Sequence, residues 1–164
     1  MTVTNLDKAK ALALAVPAAL LAGAYFSQYW GHLYPCHMCW WQRYAHFAAL
    51  LFALLAYAMR GLPDRGRSFV WLAALAILTS AGIAFWHAGV ELKYFPGPTE
   101  CTSAFHAGST EDLLKQIMDA PLILCDQVQW SFLGVSLAGW NFILSSVSGL
   151  LILWLSLRRP RPQA

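Results

Sequence analysis

Four apolar stretches, at about 11–30, 41–59, 69–86 and 139–157, dominate this 164-residue chain. A bilayer core is crossed by about 20 residues at about 1.5 Å rise each, so each stretch is long enough for a transmembrane helix. None of them alternates apolar and polar residues over a barrel-strand length, which argues against membrane strands. Charged residues make up 12% of the chain and hydrophobic ones 59%. A soluble domain carries about 25% charged residues, and a disordered one is low in hydrophobicity and rich in charge, so both classes are excluded. The expected fold is an all-α membrane protein, a four-transmembrane-helix bundle forming a single domain over 1–164.

The charges fix the orientation. Of the eleven Lys and Arg, Lys8, Lys10, Arg60, Arg65, Arg67, Arg158, Arg159 and Arg161 fall in the N-terminus, the connection near 60–68 and the C-terminal tail. The positive-inside rule makes that side cytoplasmic, with both termini on it. The long 87–138 loop carries Glu91, Glu100, Glu111, Asp112, Asp119 and Asp126 against Lys93 and Lys115, and so faces outward. The basic residues form no single patch, and no nucleic-acid partner is expected. Trp30, Trp40, Trp41, Tyr44, Trp86, Trp130 and Trp140 lie near the outer ends of the spans, where amphipathic rings settle. The alternative for the first stretch is a signal peptide cleaved after Ala24. The apolar run continues past that point to Tyr29 and Trp30, which suits a full span better.

The chemistry sits in two outer loops, 31–40 and 87–138. The second is too long for a simple connection. Within it, Ser109, Thr110, Glu111 and Asp112 resemble a capping box, with Leu113, Leu114, Ile117 and Met118 following at helical spacing. A short amphipathic helix on the membrane surface is expected there, the alternative being a helix packed on the loop's own core. Residues 129–134 are expected to continue this layer into the fourth span. Ala11, Ala15, Ala22, Ser145 and Gly149 are small residues suited to close helix packing, and Pro17 is expected to kink the first span.

The four cysteines are Cys36 and Cys39, as Cys-His-Met-Cys in the first outer loop, and Cys101 and Cys125 in the second. Two spans separate the loops, so all four face the oxidising side, where pairing within each loop is expected. A Cys-x-x-Cys ring closes too small a loop to be a staple and reads as redox-active. Cys39 opens the second helix, whose macrodipole favours a thiolate. Gln42, Arg43 and His46 follow on the same face, a polar stripe expected to point into the bundle. An arginine inside a span is a functional candidate by default. The alternative is an arginine snorkelling to the nearby interface. Beside Cys39, the cation can hold a thiolate or stabilise charge growing on a carbonyl-bearing acceptor arriving through the lipid, for which a quinone is the obvious choice. Cys101 and Cys125 read either as a structural bridge or as a second pair in exchange with the first, and the turn at 95–98 would expose Cys101 to a partner.

His87, near the outer end of the third span, is a candidate hydrogen-bond partner for a quinone oxygen or a wetted interfacial residue. His32, His37 and His106 read as loop residues, and His46 as a bond to a neighbouring helix. No metal is expected. His32, His37 and the first cysteine pair are close in sequence, but the outer compartment and the second pair argue against zinc. Trp40 stands where covalent haem attachment needs histidine.

These residues resemble the DsbB family, the bacterial disulfide bond formation protein B of the inner membrane. The resemblance runs from the first span to the fourth. It rests on Cys36-His-Met-Cys39 with Gln42-Arg43, His87, Pro96-Gly-Pro98 before Cys101, and Cys125-Asp126 followed by Trp130 and Phe132-Leu-Gly134. Vitamin K epoxide reductase relatives place the quinone-side motif after the loop cysteines, whereas here it comes first. The resemblance implies a protein-disulfide:quinone oxidoreductase with its active cysteines in the periplasm. A reduced thioredoxin-fold partner of the DsbA type would attack Cys101, and Cys125 would exchange with Cys36. Cys39 would face a ubiquinone or menaquinone as a charge-transfer complex, supported by Arg43, with His87 near the ring and Gln42 lining the site. The rival class is a non-catalytic membrane subunit or assembly factor with structural disulfides, and replacing Cys39 separates the two.

Overall fold

The computed structural model describes residues 4–98, 109, 111 and 124–158. Their framework is four helices: α1 Asn5–Tyr29, α2 His37–Ala58, α3 Arg67–Glu91 and α4 Leu137–Leu157. Each helix starts earlier than its apolar window, and three of the four are capped there by a side chain. Thr4 and Asp7 form a reciprocal capping box on α1, Cys36 caps α2 through its sulfur, and Ser136 caps α4. At α3 the cap is Gly66, with φ +77°, which only glycine adopts freely. A Cβ there would also stand 2.3 Å from the Ala56 carbonyl oxygen. Asp64 completes that turn by accepting from the Gly66 and Ser68 amides at 3.0 and 2.9 Å.

Among the described residues, α1, α3 and α4 are long and apolar enough to cross a membrane. The chain is thus a multi-pass membrane protein. The second stretch forms a 22-residue helix that carries Gln42, Arg43 and His46 among its buried residues. Its outward face is apolar all the same, with Phe47, Leu51 and Leu54 exposed. α3 packs against α2 and α4, and α1 lies across α2 and α4.

The core is a seam of small side chains: Ala9, Ala13, Ala49, Ala53, Ala56, Ala73 and Ala74, closed by Val70, Ile77 and Ile152. Small residues let backbones approach where lipid offers no hydrophobic driving force. On α4, Ser145 and Gly149 are buried as expected, and a Cβ on Gly149 would press Leu78 at 2.8 Å. On α1 the expectation fails. Ala11, Ala15 and Ala22 are exposed, and the buried row is Ala9, Ala13, Pro17 and Leu21, one residue every turn. Residue size alone does not reveal which row meets the neighbouring helices.

A second departure is a two-stranded antiparallel ribbon, β1 Ser131–Phe132 and β2 Val135–Ser136. Leu133 and Gly134 both take positive φ in its turn, as a tight hairpin requires. The expected interfacial helix around Leu113–Met118 lies outside the described residues, as does Cys101.

Candidate active site

The cap of α2 builds the site. Cys36, outside the helix, accepts the Cys39 amide N–H on its sulfur at 3.3 Å. The helix then turns Cys39 back so that the two sulfurs lie 2.9 Å apart. Both are free thiols here, rather than the expected disulfide. Cys36 is buried and Cys39 partly so. The hydrogen bond from Cys39, reinforced by His87, holds the Cys36 thiol well below the usual thiol range against the opposing effect of burial.

The rest of the stripe is also turned inward. Gln42, Arg43 and His46 are all buried on α2. Arg43 does not snorkel, being only 5% exposed. It donates to Gln28 Oε1 at 2.6 Å and to the Ala24 carbonyl at 3.1 Å, both on α1. Its guanidinium lies 4.7 Å from the Tyr25 ring centroid and 5.0 Å from that of Trp40.

His87, from the outer end of α3, places Nε2 at 3.5 Å from Cys36 Sγ and Nδ1 at 3.0 Å from Gln42 Nε2. Its tautomer follows from the neighbours. Asn141 Nδ2 donates to Gln42 Oε1 at 2.7 Å, which leaves the Gln42 amide nitrogen facing His87 Nδ1 as a donor. Nδ1 therefore accepts and the proton sits on Nε2, facing Cys36. Ser145 donates in turn to Asn141 Oδ1 at 2.9 Å. A run of aligned donors thus leads from α4 through Gln42 and His87 to the Cys36 sulfur.

Four of these groups were not singled out in the sequence. Glu91, counted above among the outer-loop charges, ends α3 instead, with Oε1 3.8 Å from His87 Nε2 and the Ser136 hydroxyl donating to its other oxygen. Asn141, Ser136 and Ser80, whose hydroxyl oxygen accepts from Asn141 Nδ2 at 3.2 Å, are the others. Asn141, a lone amide in an apolar span, was the available signal.

The second loop meets this centre through Cys125, which is disulfide-bonded and buried with Cys36, Met38 and Val90. Its neighbour Asp126 is held by Lys93, whose Nζ lies 2.5 Å from Oδ2 and 2.9 Å from the backbone carbonyl. Gln129 Nε2 donates to the Tyr34 carbonyl at 2.9 Å, tying the two outer loops together. The 95–98 segment, expected as a turn, follows a bend at 94–95 and is anchored by Phe95, which stacks on Trp86 and lies against Gly89, where a Cβ would come within 2.1 Å of the ring.

A cavity of about 300 Å³ reaches Cys36, Cys39, Gln42, Arg43, His46 and His87, and is otherwise lined mainly by apolar residues of α1 and α4. An apolar pocket with a few convergent polar groups fits a flat, lipid-soluble ligand. Cys36, Cys39 and His87 also present ligand atoms within 4.8 Å of one another, a donor set that suits a thiophilic cation. The two uses exclude each other, because a metal-bound thiolate pair cannot close into a disulfide.

The family model described as "Disulfide bond formation protein DsbB" matches residues 7–155. Curated relatives named disulfide bond formation protein B are similar over most of their length. The protein from Marinobacter nauticus is 30% identical over 93% of this chain and 92% of its own. That from Paracidovorax citrulli is 35% identical over 96% and 93%, and that from Aromatoleum aromaticum 36% over 79% of each. No solved structure matches the chain.

Proposed function

The chain belongs to the DsbB family of disulfide bond formation proteins, and from that premise we propose that it is a thiol oxidase that passes electrons from a periplasmic dithiol protein to a membrane quinone. Disulfide oxidoreduction comes with the family. The quinone reading is carried by one observation: the Cys36–Cys39 dithiol opens onto the same mainly apolar cavity as a buried cation, Arg43, and two polar side chains, Gln42 and His87. A quinone held there would accept the electron pair that leaves the dithiol as an Sγ–Sγ bond forms.

The chain's own residues divide the work. Cys36, packed beside the buried Cys125, is the sulfur of the Cys36–Cys39 disulfide that Cys125 attacks once the partner has freed it by opening its bond to Cys101, and Cys39 leaves as the thiolate. Cys101 is the point of attack by a thioredoxin-fold partner of the DsbA type. Cys39 faces the acceptor, Arg43 stabilises negative charge there, and His87 holds the proton at Nε2 against Cys36. All four helices cross the inner membrane with both termini cytoplasmic. The apolar outward face of α2 supports its inclusion.

The test is to follow quinone absorbance on adding a reduced DsbA-like protein to the purified, lipid-reconstituted chain. Quinone consumption matched by partner oxidation, and lost in Cys39→Ser, is the expected result. Consumption that persists in Cys39→Ser, or none by the folded wild type, would overturn the reading.

A further inference from the structure

Closing the Cys36–Cys39 bond leaves the acceptor short of a proton. The two sulfurs lie 2.9 Å apart with the Cys36 thiol held below the usual range, so the pair enters the reaction as one thiolate and one thiol. Such a pair gives up two electrons and one proton as its Sγ–Sγ bond forms, whereas a quinone takes two electrons and two protons to become a hydroquinone. The second proton has to come from a group that faces the cavity and can part with one.

Few of the lining residues can. Arg43 keeps its protons in a protein. His87 is held as the Nε2–H tautomer, with Nδ1 accepting from Gln42 at 3.0 Å, so losing its one proton would leave an imidazolate. His46 is fixed in the same way. Its Nε2 proton faces Asn141 Oδ1 at 3.1 Å, because the Asn141 amide hydrogens go to Gln42 Oε1 and Ser80 Oγ, and its Nδ1 is sealed. Tyr34 is an exposed phenol on the first outer loop. Among the described lining residues, Glu91 is the one carboxyl.

Glu91 is placed for the exchange. It ends α3, one turn beyond His87, and the exposed Leu92, Lys93 and Tyr94 follow it, so its backbone stands at the outer water. Its side chain nevertheless turns inward, 8% exposed, and lines the cavity. The two carboxyl oxygens differ. Oε2 accepts from the Ser136 hydroxyl that caps α4, which fixes the group in place. Oε1 stands 3.8 Å from His87 Nε2, beyond hydrogen-bond distance, and is not one of the enclosed unpartnered polar atoms, which among the described residues are His46 Nδ1 and Arg67 Nε. It is therefore the oxygen left open to carry a proton. Facing the carboxyl are His87 on its own helix, Cys36 from the cap of α2 and Ser136 from α4. No Lys or Arg lies within ion-pair distance of it among the described residues, so no fixed cation locks it as a carboxylate.

We propose that Glu91 is the proton donor to the acceptor, handing the Oε1 proton to a carbonyl oxygen of the bound quinone as the electron pair arrives and taking a replacement from the outer water. The thiol proton of the dithiol completes the hydroquinone. This rests on the quinone reading above and adds a residue and a proton route to it.

A single turnover tests it. The prereduced protein in nanodiscs is mixed with a saturating short-chain ubiquinone, with no partner protein present, and the loss of ubiquinone absorbance is followed. Glu91→Gln keeps an oxygen for Ser136 and removes the proton, while Glu91→Ala removes the whole group and leaves room for a small acid. Each is expected to slow ubiquinone reduction about a hundredfold, the low end of what general acid catalysis contributes. Formic acid is expected to restore the rate of Glu91→Ala with rising concentration, whereas sodium chloride at the same ionic strength does not. A residue that only held α3 against α4 would give no such rescue. A wild-type rate in whichever variant folds, or slowing in Glu91→Ala that formic acid leaves unchanged, would overturn the role of Glu91 while leaving the quinone reading standing. Wild type that leaves ubiquinone unreduced would overturn both.

Discussion

Removing His87 tests whether it sets the character of Cys36. In His87→Leu the thiolate loses the Nε2–H donor 3.5 Å away, and Gln42 loses its acceptor. A hydrogen bond to a charged group is worth about 1.5–3 kcal/mol. At about 1.4 kcal/mol per pH unit, Cys36 should therefore titrate about one to two units higher. The sign for the redox couple follows. Cys36 has a folded-state pKa below its unfolded value, so the thiolate's stabilisation of the reduced protein is complete above the ordinary thiol range and lost as pH falls through the folded value. A less stabilised thiolate makes the pair less oxidising. At a pH above both midpoints the potential should fall by about 30–60 mV, taking 30 mV per 1.4 kcal/mol for two electrons. The midpoint is read from the pH dependence of iodoacetamide alkylation of the reduced protein, and the potential from equilibration with a dithiol buffer. An unchanged alkylation midpoint in a folded His87→Leu protein would refute the reasoning.

Three further outcomes are expected. Arg43→Ala should slow quinone-dependent turnover at saturating quinone, because charge stabilisation at the acceptor is lost along with the contacts to α1; wild-type kinetics at all quinone concentrations would count against that role. Asn141→Leu should destabilise the bundle by about 1–3 kcal/mol, since Gln42 Oε1 loses its donor and His46 its acceptor, and adding Gln42→Leu should cost less than the sum of the single changes in a denaturant series. Asp64→Ala should lower the melting temperature at neutral pH but not in strong acid. The Asp64 carboxyl is held down to about 2, chiefly by the Ser68 hydroxyl and amide, so its contribution is present above the ordinary carboxylate range and disappears as pH falls toward that value.

Much of the site was legible because one helix carries it. Cys39, Gln42, Arg43 and His46 fall on a single face by helical spacing alone, and a polar face on an apolar helix has to turn inward. His87 was legible at a span end as a candidate partner for a quinone oxygen, but not as a neighbour of the cysteines. That it bridges Gln42 and Cys36 depends on how α3 registers against α2, which no local pattern encodes. The same holds for Asn141 and Ser80, whose worth lies wholly in partners from other helices. Glu91 was misplaced because charge counting assigns every acid beyond the apolar window to the loop, whereas α3 continues far enough to stack Glu91 one turn after His87. The small-residue row on α1 was misjudged for a related reason, since α1 is apolar on every side and alanine size does not distinguish lipid from protein contact.

The electrostatics of the site follow from what Arg43 is paired with. Its partners are an amide oxygen and a backbone carbonyl, and no carboxylate lies within ion-pair distance of it among the described residues. Neutral acceptors satisfy the guanidinium's hydrogens without cancelling its charge, so Arg43 faces the cavity as a cation with no direct counter-ion. The acid that also lines the cavity, Glu91, is engaged with His87 and Ser136. An unneutralised cation inside a bundle is costly in the resting state and is repaid only when an anion forms beside it. Dithiol oxidation forms one twice, first as a thiolate and then as charge on the acceptor. On the proposed function, the cost of burying Arg43 is offset during turnover, and a carboxylate introduced against it, as by Gln28→Glu, should stabilise the fold while slowing the reaction.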